Sequence, residues 1–163
     1  MASPTGYSRA QIRLHWIVAG LIVLQFVLHE SISDAFDMAM EGRQIAFNPL
    51  VAQHVAGGVL IGLLVLWRLV LRLRRGAPPP PENEHPLLKL AAHATHWTFY
   101  ALMLMLPVSG AVAWFGLVEP AAETHEFLKA ILMLLVLLHV AAALYHQFVL
   151  KTDVLMRMKK PQA

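Results

Sequence analysis

Apolar residues fall in four long blocks, roughly Leu14 to Leu28, Leu50 to Leu71, Leu90 to Phe115 and Phe127 to Leu150, and polar residues collect between them. Each block supplies the ~20 mostly apolar residues needed to cross a hydrocarbon layer about 30 Å thick. The first reaches that length when extended back through Ser8, a residue type that caps helix N-termini. Backbone amides in lipid must be satisfied within their own element, so the blocks read as helices. The pattern predicts an all-α, integral-membrane four-helix bundle, one domain over 1–163, with helices near 8–30, 49–75, 87–115 and 122–151. A cleaved signal peptide is the other reading of the N-terminus. It fails because His15-Trp16 interrupts the apolar block and no small-residue cleavage site follows.

Composition supports the same class. Of 163 residues, 58% are hydrophobic and 14% charged, against about half and about a quarter in soluble domains. The net charge of +3 would point to nucleic acid in a soluble chain. Here the placement of the charges matters more. Arg9, Arg13, Arg68, Arg72, Arg74, Arg75, Lys89, Lys151, Arg157, Lys159 and Lys160 lie at the termini or the second connection. Arg43 and Lys129 lie on the other side, among Glu30, Asp34, Asp37, Glu41, Glu119, Glu123 and Glu126. The positive-inside rule then places both termini in the cytoplasm, and the Lys159-Lys160 pair fixes topology rather than binding nucleic acid. Pro78 to Pro81 read as a stiff extended spacer within the 76–86 connection.

The candidate chemistry lies in nine histidines and no cysteine. Without cysteine, iron–sulfur clusters and thiolate zinc sites are excluded. His15, His54, His93, His96, His139 and His146 lie within the spans, His29 and His125 near their outer ends, and His85 in the solvated connection. Ionisable residues inside a membrane are usually functional. His125 and His139 are 14 residues apart on the fourth helix, which is about 21 Å of rise and about 40° short of four full turns. One face therefore offers an imidazole toward each membrane surface. That suits two stacked haem b groups, each completed by an imidazole from another helix and held noncovalently, since no Cys-x-x-Cys-His motif is present. His15 at the start of the first helix and His54 at the start of the second are candidate partners. Ala56, Gly57 and Gly58, and likewise Ala141 to Ala143, would leave room for a flat macrocycle. Other assignments stay open at this point. His15 and His29 are also 14 residues apart, and His93 or His96 could replace His15. Any one of these histidines could also be a hydrogen-bonded structural residue or a proton relay.

The chain resembles the bacterial cytochrome b561 family. The residues that carry the resemblance are Tyr7-Ser8 leading to Leu14-His15-Trp16, Arg68 to Arg75 followed by prolines, and a turn region at Leu106-Pro107-Val108-Ser109-Gly110. His146-Gln147-Phe148, Lys151 and Asp153 through Leu155-Met156-Arg157-Met158 complete it, as does the 39-residue interval from His15 to His54. The resemblance implies that His15 and His139 hold a cytoplasmic haem and that His54 and His125 hold a periplasmic one. His139 then sits deeper along its helix than His15, a mismatch that an ordinary tilt of about 20° would absorb. It leaves His146, His93 and His96 around the haems or at a quinone site, and it implies a bacterial inner membrane.

Electron transfer is the activity such a protein supports, because the protein positions haems and the iron does the chemistry. The resemblance further implies superoxide as donor and ubiquinone as acceptor, with Lys129 and Arg43 available to attract the anion. A haem-bearing anchor that links a partner dehydrogenase, hydrogenase or reductase to the quinone pool needs the same core. A metal transporter with a histidine-lined path ranks behind both, for want of intramembrane carboxylates.

Overall fold

In the computed structural model, which describes residues 4, 6–81 and 84–161, the chain enters its first helix through Ser8. The Ser8 hydroxyl accepts from the Gln11 amide at 3.3 Å and the Gln11 side chain accepts from the Ser8 amide at 3.0 Å. This reciprocal pair satisfies two of the amides a helix start leaves open. Helix α1 (Arg9–Val27) then crosses the apolar block. It does not continue to residue 30 as the sequence pattern predicts. The chain breaks at Leu28 and His29, and a separate helix α2 (Glu30–Met40) follows. Glu30, Ser31, Ser33, Asp34 and Asp37 make this segment too polar to stay in hydrocarbon, while Ile32, Ala35 and Phe36 fall on one face and Ala35 is buried.

Helix α3 (Pro49–Arg75) starts at Asn48, whose side chain accepts from the Leu50 amide at 2.9 Å, with Pro49 in the first turn where no amide hydrogen is needed. It ends at Gly76, whose φ of 77° suits glycine. Helix α4 (Pro86–Gly116) begins in the same way, with the exposed His85 ring accepting from the Leu87 amide at 3.3 Å. Helix α5 (Glu119–Phe148) and the short α6 (Val154–Arg157) complete the chain. All elements among the described residues are helical, and α1, α3, α4 and α5 are long and apolar enough to cross a membrane. Large side chains such as Leu63, Phe115, Leu134 and Leu137 point outward, as lipid requires.

Four details correct the sequence reading. The stretch Leu106 to Gly110 is not a turn but lies inside α4, with Pro107 in mid-helix. Gly57 does not make room for a cofactor: a Cβ there would stand 2.9 Å from the Gln25 amide nitrogen, so its smallness brings α1 against α3. Ala141 and Ala142 face outward from α5 rather than inward. The 76–86 connection is also more than a spacer, although residues 82 and 83 lie outside the described residues. Gln11 donates to Gly76 O at 3.1 Å and Arg157 donates to Pro79 O at 2.7 Å, so α1 and α6 both fasten it. Arg157 also pairs with Asp153, and that hydrogen bond holds the Asp153 carboxyl below the usual carboxylate range.

Close packing runs from α1 to α3, α3 to α4 and α4 to α5, with α2 on α3 and α6 on α5. Helices α1 and α5 are not among the closely packed pairs. Midway along the bundle, Val18, Ile61, Val65, Tyr100, Leu102, Met103, Leu128 and Leu132 form the buried core. The histidines lie above and below it.

Candidate functional site

Helix α5 presents one imidazole on each side of this core. His125, in its second turn, faces His54 of α3, with ring centroids 6.5 Å apart and planes at 64°. His139 faces His15 of α1, with centroids 6.3 Å apart and planes at 67°. The two pairs share nearly one geometry. Two imidazoles bonded to opposite sides of one metal, each through a ring nitrogen at roughly 2 Å, place their centroids about 6–6.5 Å apart. Both pairs meet that separation, and the depth mismatch between His15 and His139 is absent.

The His54–His125 pair opens onto a cavity of about 650 Å³, within the range of about 300–1,000 Å³ typical of ligand sites. Its apolar walls include Ile22, Phe26, Ile61, Met103, Trp114 and Leu132, and α2 contributes Ile32 and Phe36. His125 Nδ1 lies 3.0 Å from Leu106 O and 3.2 Å from Ser109 Oγ. A carbonyl only accepts, so Nδ1 carries the hydrogen and Nε2 keeps the lone pair a metal needs. Pro107 lacks the amide that would bond Met103 O, which loosens the helix ladder beside the Leu106 carbonyl that His125 reaches. A Cβ on Gly110 would meet the His125 ring at 3.1 Å, so this glycine cradles the imidazole. Among the described residues no partner meets the enclosed His54 Nδ1, which leaves Nε2 as the nitrogen to meet a ligand. The residues at this pair fit a planar iron macrocycle held by two imidazoles.

The second pair sits in a more crowded setting. His96 of α4 also approaches His139, with centroids 5.7 Å apart, and Phe99 packs at 5.4 Å. That His96 spacing falls short of the range for imidazoles on opposite sides of one metal. Its Nδ1 donates to Ala92 O at 2.7 Å within its own helix. His93 lies against Trp97, 6.3 Å between rings. His29 stacks on Phe26 and donates to Phe26 O at 2.7 Å, while still lining the cavity of the first pair.

The remaining candidates fall at the two ends. His146 bridges Thr152 Oγ1 at 3.0 Å and Glu84 Oε1 at 3.1 Å, and both His146 and Glu84 side chains are largely buried. The sequence reading did not single out Glu84, whose signal was only a carboxylate in a proline-rich connection. Lys129 lines the cavity and pairs with Glu126, whereas Arg43 is not among the lining residues and pairs with Glu41 at 3.2 Å. Asp37, Glu119 and Glu123 also line the cavity, so its rim is acidic rather than cationic.

The chain is similar to known proteins over nearly its whole length. A family model described as prokaryotic cytochrome b561 matches residues 6–161. A protein of Cereibacter sphaeroides named cytochrome b562 is 35% identical across 99% of this chain and 100% of its own length. One of Yersinia pestis named probable superoxide oxidase CybB is 32% identical across 93% of this chain and 94% of its own. Cytochrome b561 homolog 1 of Escherichia coli is 25% identical across 93% and 96%.

Proposed function

Because the chain belongs to the prokaryotic cytochrome b561 family, a membrane haem protein family, we propose that it is a dihaem b cytochrome passing electrons across the bacterial inner membrane from superoxide to ubiquinone. The observation that carries this reading is the repeated imidazole geometry, 6.5 Å and 64° at one pair and 6.3 Å and 67° at the other. His54 and His125 hold one noncovalent haem b toward the periplasm. His15 and His139 hold the other toward the cytoplasm, where the Lys and Arg excess also places both termini.

Haem iron in such pockets supplies reversible one-electron chemistry. The balance is two superoxide anions giving two dioxygen molecules and two electrons, which with two protons convert one quinone to quinol. The chain's own residues do the rest. Ser109 and the Leu106 carbonyl orient His125, and Gly110 lets the ring edge approach α4 closely. The helices exclude water from the core between the pairs. Lys129 is the one ammonium or guanidinium among the described cavity-lining residues and offsets part of the acidic rim for an approaching anion. At the cytoplasmic end the buried His146–Glu84 contact supplies protonatable groups for the quinone.

Stopped-flow mixing of purified protein with potassium superoxide tests the donor. Fast haem reduction, reoxidised by added ubiquinone and abolished in His54→Ala, is expected. The acidic rim favours a second reading, in which a partner redox subunit with a basic surface delivers the electrons. Reduction by superoxide no faster than by nonspecific reductants, with fast reduction by a co-purifying dehydrogenase, decides for that second reading.

A further inference from the structure

Four arginines crowd the last turns of α3, and they do not behave alike. Arg74 and Arg75 are exposed, as cations that fix topology should be. Arg68 and Arg72, one turn apart on the same face, are turned inward and only partly exposed. Arg68 donates to Gln11 O at 3.0 Å. Arg72 stacks over Trp97 at 5.6 Å and Tyr100 at 5.9 Å. Stacking uses the face of a guanidinium and leaves its N–H edge free to bond. Among the described residues, neither arginine has a carboxylate within ion-pair distance.

Two inward guanidinium groups within a membrane span are costly unless an anion meets them. Together with Tyr7, Gln11 and Tyr100 they line a small recess at the basic end of the bundle. That recess adjoins the second imidazole pair. Gln11 is one helical turn before His15, and Tyr100 is one turn after His96. A haem brings two propionate carboxylates on one edge, and two guanidinium forks match them in number, charge and bidentate geometry.

We propose that Arg68 and Arg72 bind the propionate carboxylates of the haem held by His15 and His139, and so set its potential. This rests on the dihaem reading above. A positive charge held at the propionates favours the reduced haem, so its loss lowers the potential of that haem alone. Among the described residues no arginine lines the cavity at His54 and His125, where Lys129 is paired with Glu126 and further carboxylates face the ligand space.

The test uses the holoprotein in nanodiscs, with haem labelled by ¹³C at the propionate carboxyls. Redox titration and redox-difference infrared spectra are compared for wild type, Arg68→Gln, Arg72→Gln, Arg72→Lys and the exposed control Arg74→Gln. Each Gln variant is expected to shift the reduction equilibrium of one haem about tenfold, equivalent to about 59 mV for one electron. It should also move the label-sensitive carboxylate bands, while the other haem and Arg74→Gln stay unchanged. Arg72→Lys should restore most of the potential but not the band position, because an ammonium cannot bond bidentately. Carboxylate bands identical in wild type and both Gln variants overturn the proposal. So does a wild-type potential that changes between discs of phosphatidylcholine alone and discs containing phosphatidylglycerol, with phosphate rather than carboxylate bands moving in the variants. That result assigns the arginines to a lipid headgroup. A wild-type protein with a single haem overturns the dihaem reading instead, and is seen before any variant is compared.

Discussion

At the scale of single residues, the site depends on which ring nitrogen each histidine offers. His125 is fixed by Leu106 O and Ser109, and the ligand-like spacing falls to His54 and His15 rather than His96. His54→Ala or His125→Ala should therefore remove one haem and leave the other, while His15→Ala or His139→Ala should do the reverse. His96→Ala should retain both, as haem-to-protein ratios of the purified variants will show. Ser109→Ala removes one partner of the ligating ring, and losses of such partners typically weaken metal sites about 10–100-fold. Haem transfer to apomyoglobin should be faster from that variant by a factor in this range, from one of the two sites only. That His125 and His139 share one face of α5 was legible in the sequence, because a 14-residue interval on one helix is a geometric statement. His96, the rival of His15, was not separable there, since spacing along a helix says nothing of distances between helices. Glu84 was invisible for a similar reason: its partner, His146, is brought to it only by the folded connection.

Among the elements, the long helices follow from apolar length, and their start points from Ser8, Asn48 and Pro86. The amphipathic α2 escaped the pattern because an 11-residue helix with five polar or charged positions looks like a loop beside membrane spans. Pro107 was misread as a turn because proline breaks helices in water, whereas in a membrane span neighbouring groups satisfy what it leaves open. Gly57 shows how the α1–α3 contact depends on a missing side chain. Gln25 donates to His54 O at 2.7 Å and accepts from Gln53 at 2.8 Å, in the space a Cβ would enter. Gly57→Val should separate the helices there and cost about 1–3 kcal/mol, the usual range for overpacking. Thermal unfolding in nanodiscs should fall accordingly, and a Gly20→Val control, where a Cβ meets nothing within 4 Å, should hardly move.

For the whole molecule, charge and haem placement form one account. The basic end carries Arg68 to Arg75 and the C-terminal cations, and the other end carries α2 and the acidic rim. A reporter fused after residue 163 should be cytoplasmic, and one inserted near Asp37 should be external. External labelling of the C-terminus in intact cells would reverse the sides of both haems. If the rim sets access for superoxide, Lys129→Gln should lower its rate of haem reduction and the salt dependence of that rate. Arg43→Gln, at a residue paired with Glu41 outside the lining, should change neither.

The central claim is that α5 carries two haems, one at each of two matched imidazole pairs about 21 Å apart along its axis. The most direct measurement is the pyridine haemochromogen content of the purified protein, set against protein concentration from quantitative amino-acid analysis. The account predicts two haem b per chain, both extracted into acidified acetone because neither is covalently attached. A ratio of one, in protein shown to be folded and fully loaded, would contradict it.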